Sequence, residues 1–273
     1  MSNYTEINTN KRIEVIEVCK RLVDEGYQIS VKNGDPTTKV YIPKVSIREI
    51  DITEEDYGYE VGLNILACKD DFEIYRDIVK HILEMTNGEA VYEGNKILDT
   101  SNFFDMEFIE QSMDRELSTI LLLAKEHNEI AIPCPFRNFV IGTNIYKQIA
   151  NVGDNLEKQR SFLYNMIRKS QYENISTNDT PIIEMESKNP NSDTNPTLTI
   201  YKQNEYDYVT SANYFALTNE QEKFLIINYS DLPKIAPQSW KLIDEKQYMT
   251  SELSGQEWSR FWQNAKQYET EIQ

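Results

Sequence analysis

Residues 57–86 read YGYEVGLNILACKDDFEIYRDIVKHILEMT. Within this stretch the spacing of the apolar residues changes from that of a strand to that of a helix. Over 57–68 apolar side chains recur at alternate positions, which predicts a β-strand. Over 72–85 they recur at spacings of three and four residues, which predicts a helix that Asn87-Gly88 ends. A strand that leads directly into an amphipathic helix indicates an α+β protein, with antiparallel sheets and packed helices.

The segments before this stretch predict one more helix and two more strands. Apolar residues at helical spacing predict a helix over 11–25. Strand-like runs at 27–32 and 39–52 flank Asn33-Gly-Asp-Pro36, a turn sequence, so we expect them to pair as a hairpin. Pro43 lies within the second run and predicts a sheet edge or a break there.

The segments after this stretch continue to alternate between strands and helices. A short strand is predicted over 89–92 and a long helix over 105–127, whose acidic first turns suit the positive end of the helix dipole. The remaining elements predicted before residue 174 are strand pieces over 129–132 and 139–141 and helices that begin at Gly142-Thr143 and at Asp154.

Residues 174–196 interrupt this pattern because they are rich in Asn, Ser, Thr and Pro. They predict a polar linker or a long loop, in which 182–185 has strand character. The segment separates an N-terminal α+β domain, residues 1–173, from a β-rich C-terminal region, residues 197–273. The sequence therefore predicts two sub-domains.

The C-terminal region is predicted to be a small sheet followed by a helix. Its predicted strands are 197–202, 206–214, 223–229 and 240–242. The helix follows Ser254 or Gly255 and carries an aromatic stripe that includes Trp258 and Trp262. We expect this stripe to dock on the preceding sheet.

Composition is typical of a folded protein in a reducing compartment. The chain has 40% hydrophobic and 11% aromatic residues, enough to bury a core. Its three cysteines are widely spaced and form no Cys-x-x-Cys pair, so neither a disulfide framework nor a zinc site is indicated. The N-terminal residues lack an apolar signal region, and the longest aliphatic run, 120–124, is too short to span a membrane. These features predict a cytoplasmic location.

The charge of the chain is its clearest functional signal. The formal net charge is −17, which argues against nucleic acid or an anionic membrane as a partner and favours a basic protein. Residues 51–120, the acidic segment, hold 18 Asp and Glu against 5 Lys and Arg. The alternative interpretation is that these charges form a solvated face that keeps the protein in solution.

Acidic residues and tyrosines occur together at two places, and this combination is typical of protein-recognition patches. The first place is 51–60 and the second is Glu205-Tyr-Asp-Tyr208. Carboxylates orient a basic partner, while tyrosine supplies contact area with little loss of entropy. The predicted partner-binding residues are Asp51, Glu54, Glu55, Asp56, Tyr57, Tyr59, Glu60, Glu205, Tyr206, Asp207 and Tyr208.

Residues with catalytic or metal-binding potential are few, and no cofactor or metal is predicted. His81 lies at helical spacing from Asp77 and Glu84, which would suit a base or part of a metal site, but a surface histidine is the favoured interpretation. Cys134 lies near Arg137, which could lower a thiol pKa, but a structural thiol is favoured. Phosphate-binding, hydrolase, zinc-protease and calcium motifs are absent from the sequence. His127, at the end of a predicted helix, fits a capping role.

Residues 72–92, FEIYRDIVKHILEMTNGEAVY, form a predicted helix, a stop and a short strand. This passage resembles uncharacterised bacterial families encoded beside secreted or polymorphic toxins, whose members act as immunity proteins. The resemblance implies a cytoplasmic protein that neutralises a cognate toxin by occlusion. Because such families share no common catalytic residues, it assigns no role to individual positions.

Two other classes of function remain open, and the oligomeric state is not predicted. An enzyme of unrecognised class would use His81 or Cys134 in a cleft between the two regions. A structural or assembly subunit would use the Trp258 and Trp262 face to associate with other subunits.

Overall fold

The chain folds into two compact units, Met1–Asn174 and Ile175–Gln273, which we call unit 1 and unit 2. The computed structural model describes residues 3–97, 103–173, 178–187, 195–219 and 223–272. Both units combine helices with sheets, which confirms the predicted α+β class. None of the helices in these ranges is long and apolar enough to cross a lipid bilayer.

Unit 1 is built on a seven-stranded sheet with the order β2-β3-β4-β5-β1-β6-β7, in which every described neighbour pair is antiparallel. Its elements are β1 (Asn3–Asn8), α1 (Val15–Asp24), β2 (Ser30–Lys32), β3 (Thr37–Tyr41), β4 (Ile50–Glu55), β5 (Gly58–Leu63), α2 (Lys69–Thr86), β6 (Glu89–Tyr92), β7 (Asn95–Lys96), α3 (Met106–His127), β8 (Glu129–Ile132), β9 (Phe139–Gly142), α4 (Thr143–Ala150) and α5 (Leu156–Tyr172). Strands β8 and β9 form a separate hairpin.

Strand β1 lies inside the sheet, between β5 and β6, and the sequence did not predict it. Its side chains alternate between buried and exposed, with Asn3, Thr5 and Ile7 inward. Only one of these three is aliphatic, so the strand carries little hydrophobic signal. The inward polar groups are satisfied inside the fold, because the Thr5 hydroxyl lies 2.7 Å from the Tyr75 hydroxyl and Tyr92 donates to Asn3 Oδ1.

Strands β2 and β3 form the predicted hairpin. The single strand predicted over 39–52 is wrong, because the chain forms two strands there, β3 and β4, that pair with each other. The connection between them contains Pro43 and a local bond from Ile42 N to Ser46 Oγ. A proline lacks the amide hydrogen that a continuous ladder needs, which is the physical reason for the break.

Helix α2 packs across β1, β5 and β6 and places its predicted stripe in the core. The fully buried members are Phe72, Tyr75, Ile78, Val79 and Ile82. Asn87 ends the helix in the left-handed conformation at φ 54°, as its sequence predicts. Helix α1 also contributes to the core, but Ile16 and Val23, whose helical spacing would place them on its apolar face, are exposed.

The starts of α3, α4 and α5 agree with the sequence to within one residue, whereas α1 begins at Val15, four residues after the predicted start at residue 11. Asp105 accepts a bond from Phe108 N at 2.8 Å and caps α3. The cap of α5 is Asn155, whose Oδ1 accepts from Lys158 N at 2.8 Å, and Asp154, which the sequence favoured, stands one position too early.

Unit 2 contains a four-stranded sheet, a three-stranded sheet and two helices in its described residues. Its elements are β10 (Ile182–Glu184), β11 (Thr197–Lys202), β12 (Tyr208–Val209), β13 (Tyr214–Thr218), β14 (Phe224–Asn228), α6 (Leu232–Ile235), β15 (Lys241–Leu242), β16 (Tyr248–Met249) and α7 (Gly255–Ala265). Strand β10 forms within the polar segment and pairs with β11.

Two predictions for unit 2 need correction. The strand predicted over 206–214 is wrong, because β12 and β13 belong to different sheets. The larger sheet is not wholly antiparallel, since β11 and β13 run parallel, from Leu198 beside Tyr214 to Lys202 beside Thr218. Helix α7 docks through Phe261 and Ala265, which are buried, while Trp258 and Trp262 are partly buried against the same core.

Candidate protein-binding surface

The turn between β4 and β5 is fixed from outside by the segment that precedes α1. The Arg12 guanidinium donates to the Gly58 carbonyl at 2.7 Å and to the Asp56 carbonyl at 3.1 Å. Its Nε lies 3.4 Å from Glu54 Oε1. Glu54, a predicted contact residue, is therefore already paired within the protein.

Three carboxylates lie together on the outer face of the sheet beside this turn. Glu6 on β1 lies directly opposite Glu60 on β5, and Glu55 on β4 is the diagonal neighbour of Glu60. Their side chains point away from the core because their neighbours Ile7 and Tyr59 are fully buried. We call Glu6, Glu55 and Glu60 the outer carboxylate cluster. Among the residues that the structure describes, none of the three forms an ion pair.

The electrostatics of the cluster reflect its mutual repulsion. Burial raises the pKa of Glu60, and the charges of Glu55 and Glu6 raise it further. Burial also raises the pKa of Tyr57, with additional contributions from Glu60, Glu6 and Glu55. The cluster therefore disfavours its own full ionisation, and a cation placed there would favour it.

Two tyrosines flank the cluster and remain accessible. Tyr57 is 38% exposed and Tyr4 is 43% exposed. The Tyr4 ring lies on Gly62, because a β-carbon at Gly62 would meet Tyr4 Cε1 at 2.8 Å. Tyr4 and Glu6 were not among the predicted contact residues because β1 was not predicted. The alternation of Tyr4, Glu6 and Asn8 with Thr5 and Ile7 was the available signal.

The other end of the same face is neutralised by lysines. Lys39 Nζ lies 3.6 Å from Asp51 Oδ1 and 3.3 Å from Glu49 Oε2, and Lys32 pairs with Glu49 as well. Asp51, a predicted contact residue, is therefore compensated within the sheet. Burial raises the pKa of its carboxyl, while Lys39 lowers it.

The carboxylates of the acidic segment do not all lie on one surface. Asp71 and Glu116 are buried, at 0% and 5% exposed, and bind backbone amides of neighbouring loops. Glu110 and Asp114 on α3 both pair with Arg160 on α5. These four carboxylates therefore have structural roles, and the outer carboxylate cluster remains as the candidate surface.

Two predicted contact tyrosines are buried, which removes them from the candidate surface. Tyr59 is 0% exposed, and its hydroxyl accepts from Ile13 N at 2.7 Å. Tyr208 is 3% exposed within unit 2. Of the second predicted patch, Glu205 pairs with Lys202 at 3.3 Å, Tyr206 is half-buried and Asp207 is exposed. Asp56 is exposed beside the outer carboxylate cluster.

His81 is not the surface histidine that the sequence favoured. It is 3% exposed, with Nε2 3.0 Å from Glu25 Oε2 and Nδ1 3.7 Å from Glu84 Oε2. Asp77 instead accepts from the Tyr27 hydroxyl at 2.6 Å. His81 thus ties the end of α1 to α2. His127 is the exposed last residue of α3, next to Asn128 at φ 62°.

Cys134 is enclosed in a way that opposes nucleophilic chemistry. Burial raises the pKa of its thiol to about 12, although the nearby Arg48 lowers it. Arg137, which the sequence placed near the thiol, donates to the Ser170 carbonyl at 2.7 Å. A thiol with a raised pKa holds little thiolate at neutral pH, which disfavours the nucleophile hypothesis for Cys134 and favours a structural thiol.

We therefore expect all three cysteines to resist alkylation in the folded protein. Cys19 and Cys68 are buried as well, and burial raises the pKa of each thiol. Incubation with iodoacetamide at about pH 8 should leave the native mass unchanged. The same treatment in denaturant, the control, should add three labels, whereas rapid labelling of one native thiol would contradict the assignment.

Comparison of the chain with protein-family models, with curated proteins and with solved structures finds no significant match. Within the ranges that the structure describes, no group of three or more His, Cys, Asp and Glu side chains is placed to hold a metal ion. The candidate site therefore has to be interpreted from its own geometry and charge.

Replacing Glu60 by Gln should stabilise the free protein at neutral pH. The pKa of Glu60 is raised in the folded protein. Its contribution to the free energy of unfolding is therefore fully present below its unfolded-state pKa and is lost as pH rises through its folded-state pKa. At about pH 7 the Gln variant should gain about 0.5 kcal/mol, since like charges face each other across the strands. Thermal unfolding at about pH 7 and about pH 4 measures this gain, which should shrink at the lower pH. Asp154→Asn, on an exposed loop, controls for net charge and should give a smaller gain.

Proposed function

We propose that this protein binds a basic protein partner stoichiometrically and, in the bacterial cytoplasm, neutralises a cognate toxin by covering its surface. The observation that carries the proposal is the outer carboxylate cluster, in which Glu6, Glu55 and Glu60 share one face without a compensating cation among the described residues. The resemblance of residues 72–92 to immunity families supports the toxin as the class of partner.

The cluster has an energetic cost that a partner would remove. Like charges directly opposite each other on neighbouring strands destabilise a sheet. An arginine or lysine of a partner, placed between Glu6 and Glu60, would convert that repulsion into two attractive contacts. Residues that destabilise the free protein are common at binding sites, because function and not stability selects them.

The tyrosines beside the cluster supply the apolar part of the contact. Tyr4 and Tyr57 are exposed, and their rings offer contact area with few rotatable bonds. A guanidinium that approaches the carboxylates can also stack on a tyrosine ring. The surface therefore combines charge for orientation with aromatic area for affinity.

The net charge of −17 supports fast association with a positively charged protein. Such steering acts mainly on the association rate and weakens as salt screens the charges. A toxin that acts on a polyanion, as nucleases do, would present a basic substrate-binding face. Carboxylates arranged on a rigid sheet would compete for that face.

Titration with an oligo-arginine peptide tests the surface. The probe is titrated calorimetrically into the wild-type protein, a Glu6→Gln/Glu55→Gln/Glu60→Gln variant and a control variant. The control, Glu126→Gln/Asp154→Asn/Glu157→Gln, changes net charge equally at exposed positions. At about 0.05 M salt the cluster variant should lose about tenfold in affinity and the control about twofold, with both differences smaller at about 0.5 M. Equal losses in the two variants would mean that only net charge matters.

Co-expression tests the function itself. The products of the neighbouring genes are first screened for one that arrests growth when expressed alone, and each variant is then expressed with that product while growth is measured. The wild-type and control variants should restore growth, and the cluster variant should not. Rescue by the cluster variant would remove the surface from the mechanism, and no rescue by the wild type would overturn the immunity role.

A further inference from the structure

Unit 2 contains a groove whose position follows from its parallel strand pair. Strands β11 and β13 end side by side, with Lys202 paired to Thr218, so the next residues, Gln203 and Asn219, emerge at the same edge. The first turns of α7 form the opposite wall through Gly255, Trp258 and Ser259. The groove is open to solvent on one side, and its volume of about 430 Å³ is within the usual range for small-molecule sites.

The lining of the groove is polar, with one aromatic wall. Gln203 and Asn219 contribute side-chain amides, and Thr218 and Ser259 contribute hydroxyls. Trp258 is half-buried, and its ring is backed by Phe261 and Trp262 at centroid distances of 6.1 Å and 5.9 Å. A rigid indole wall beside amides and hydroxyls presents an apolar surface and hydrogen-bonding groups to the same ligand.

We propose that this groove binds a pyranose sugar of one or two rings. The face of a pyranose ring carries C–H groups that stack on an indole, and its hydroxyls pair with amides and alcohols. This inference does not depend on the proposed function, because it concerns a different unit and a different class of ligand.

The charges around the groove disfavour an anionic ligand. The carboxylate of Glu257 already caps the start of α7, accepting from Ser254 N at 2.9 Å and from Ser254 Oγ at 2.7 Å. Lys202, the cation in the wall, pairs with Glu205 at 3.3 Å. The positive charge of Lys202 is thus already neutralised, and an apolar ligand would leave the amides and hydroxyls of the groove unsatisfied.

The two amides are held in place before any ligand arrives. Gln203 Nε2 donates to the Leu253 carbonyl at 2.9 Å, and Asn219 Oδ1 accepts from Lys223 N at 3.1 Å. Side chains that are already ordered lose less entropy when they bind a ligand. The groove is therefore preorganised on its strand side.

Gly255 provides a way to fill the groove without disturbing the core. A β-carbon at Gly255 would meet no heavy atom within 4 Å, so Gly255→Tyr places a ring in open space. Gln256→Tyr is the matched control, because Gln256 is exposed on the next helix position and does not line the groove. Ser259→Tyr is a second blocking variant on the same helix.

The experiment follows tryptophan fluorescence during titration with maltose, cellobiose and N,N′-diacetylchitobiose to about 20 mM each. All three tryptophans lie in unit 2, so the signal reports on this unit. At least one sugar should give a saturable change with a Kd of about 1 mM. Either blocking variant that keeps the native melting temperature should weaken binding about tenfold, and the control should not.

A pull-down with insoluble chitin and cellulose is the second arm of the experiment, because polymers present the same ring as the free sugars. Binding in either arm that the blocking variants abolish supports the groove and shows whether the ring is free or part of a chain. Absence of binding in both arms, or binding that survives both blocking variants, would overturn the proposal.

Discussion

Gly58→Ala should unfold unit 1 at a much lower denaturant concentration than the wild type, with a loss of about 4 kcal/mol. Gly58 has φ +143°, a backbone conformation that side chains rarely adopt. A β-carbon there would overlap the Ile7 carbonyl and meet Thr9 N at 3.0 Å. Since Gly58 pairs with Asn8 in the ladder, relief of that overlap requires β1 and β5 to separate.

Urea denaturation followed by circular dichroism measures the loss, with tryptophan fluorescence recorded in parallel because it arises only from unit 2. Gly94→Ala is the matched control. Gly94 also has a positive φ, +77°, but a β-carbon there meets nothing within 4 Å. Its cost should be about 1 kcal/mol, for the backbone conformation alone. Equal costs at the two glycines would show that the close approach of the strands has no energetic weight.

Glu116→Ala should be the second most damaging single change, with a loss of about 3 kcal/mol. The Glu116 carboxylate accepts from Asn3 Nδ2 at 3.1 Å, from Leu66 N at 2.7 Å and from Ala67 N at 3.3 Å. Leu66 stands at φ 68°, so the carboxylate holds a turn that the backbone alone disfavours. Alanine would leave these buried donors without an acceptor and would open a void between α3 and β1.

Glu116→Gln distinguishes the contribution of the negative charge to stability from the contribution of the hydrogen bonds. The amide keeps one acceptor oxygen, so its cost at about pH 7 should be about 1 kcal/mol. Burial raises the pKa of Glu116 in the folded protein. The contribution of Glu116 to the free energy of unfolding is therefore fully present below its unfolded-state pKa and is lost as pH rises through its folded-state pKa. The difference between wild type and Glu116→Gln in thermal unfolding should therefore decrease as pH rises. A difference that increases with pH would contradict this assignment.

The parts of the fold that the sequence predicted are those with a strong local signal. The α2 stripe repeats over five turns, and Asn33-Gly-Asp-Pro36 determines a hairpin through its own backbone preferences. The caps of α3 and α7 also follow from local chemistry, since Ser254 and Glu257 form a reciprocal capping box.

The parts that were missed depend on contacts far along the chain. The inward residues of β1 include Asn3 and Thr5, which are tolerated only because Glu116, Tyr75 and Tyr92 supply partners. The parallel pairing of β11 with β13 was likewise not predictable, because the alternation of apolar and polar residues indicates a strand but not the strand beside it.

The candidate site was predicted in part. The residues that were wrongly placed on the surface had a hydrophobic pattern around them that indicated burial. Tyr59 alternates with Val61 and Leu63, so the strand pattern already placed it inward, and the acidic composition of its neighbours outweighed that pattern. His81 lies three residues after Ile78 and next to Ile82, at the edge of the buried stripe. The sequence could not predict which carboxylates form an ion pair with a lysine, because the pairing of Lys39 with Asp51 depends on strand register.

The interior position of β1 in the sheet delays completion of the sheet during synthesis of the chain. Strand β1 precedes β5 and β6 in the chain, so its pairing waits until residues 58–63 and 89–92 have been synthesised. Contacts so distant in sequence slow folding, because a long loop must close before they form. On the ribosome, β5 would emerge with one edge unoccupied unless the N-terminal segment had already been retained nearby. The nascent chain is therefore most vulnerable to mispairing with other chains before the second half of its sheet has been translated.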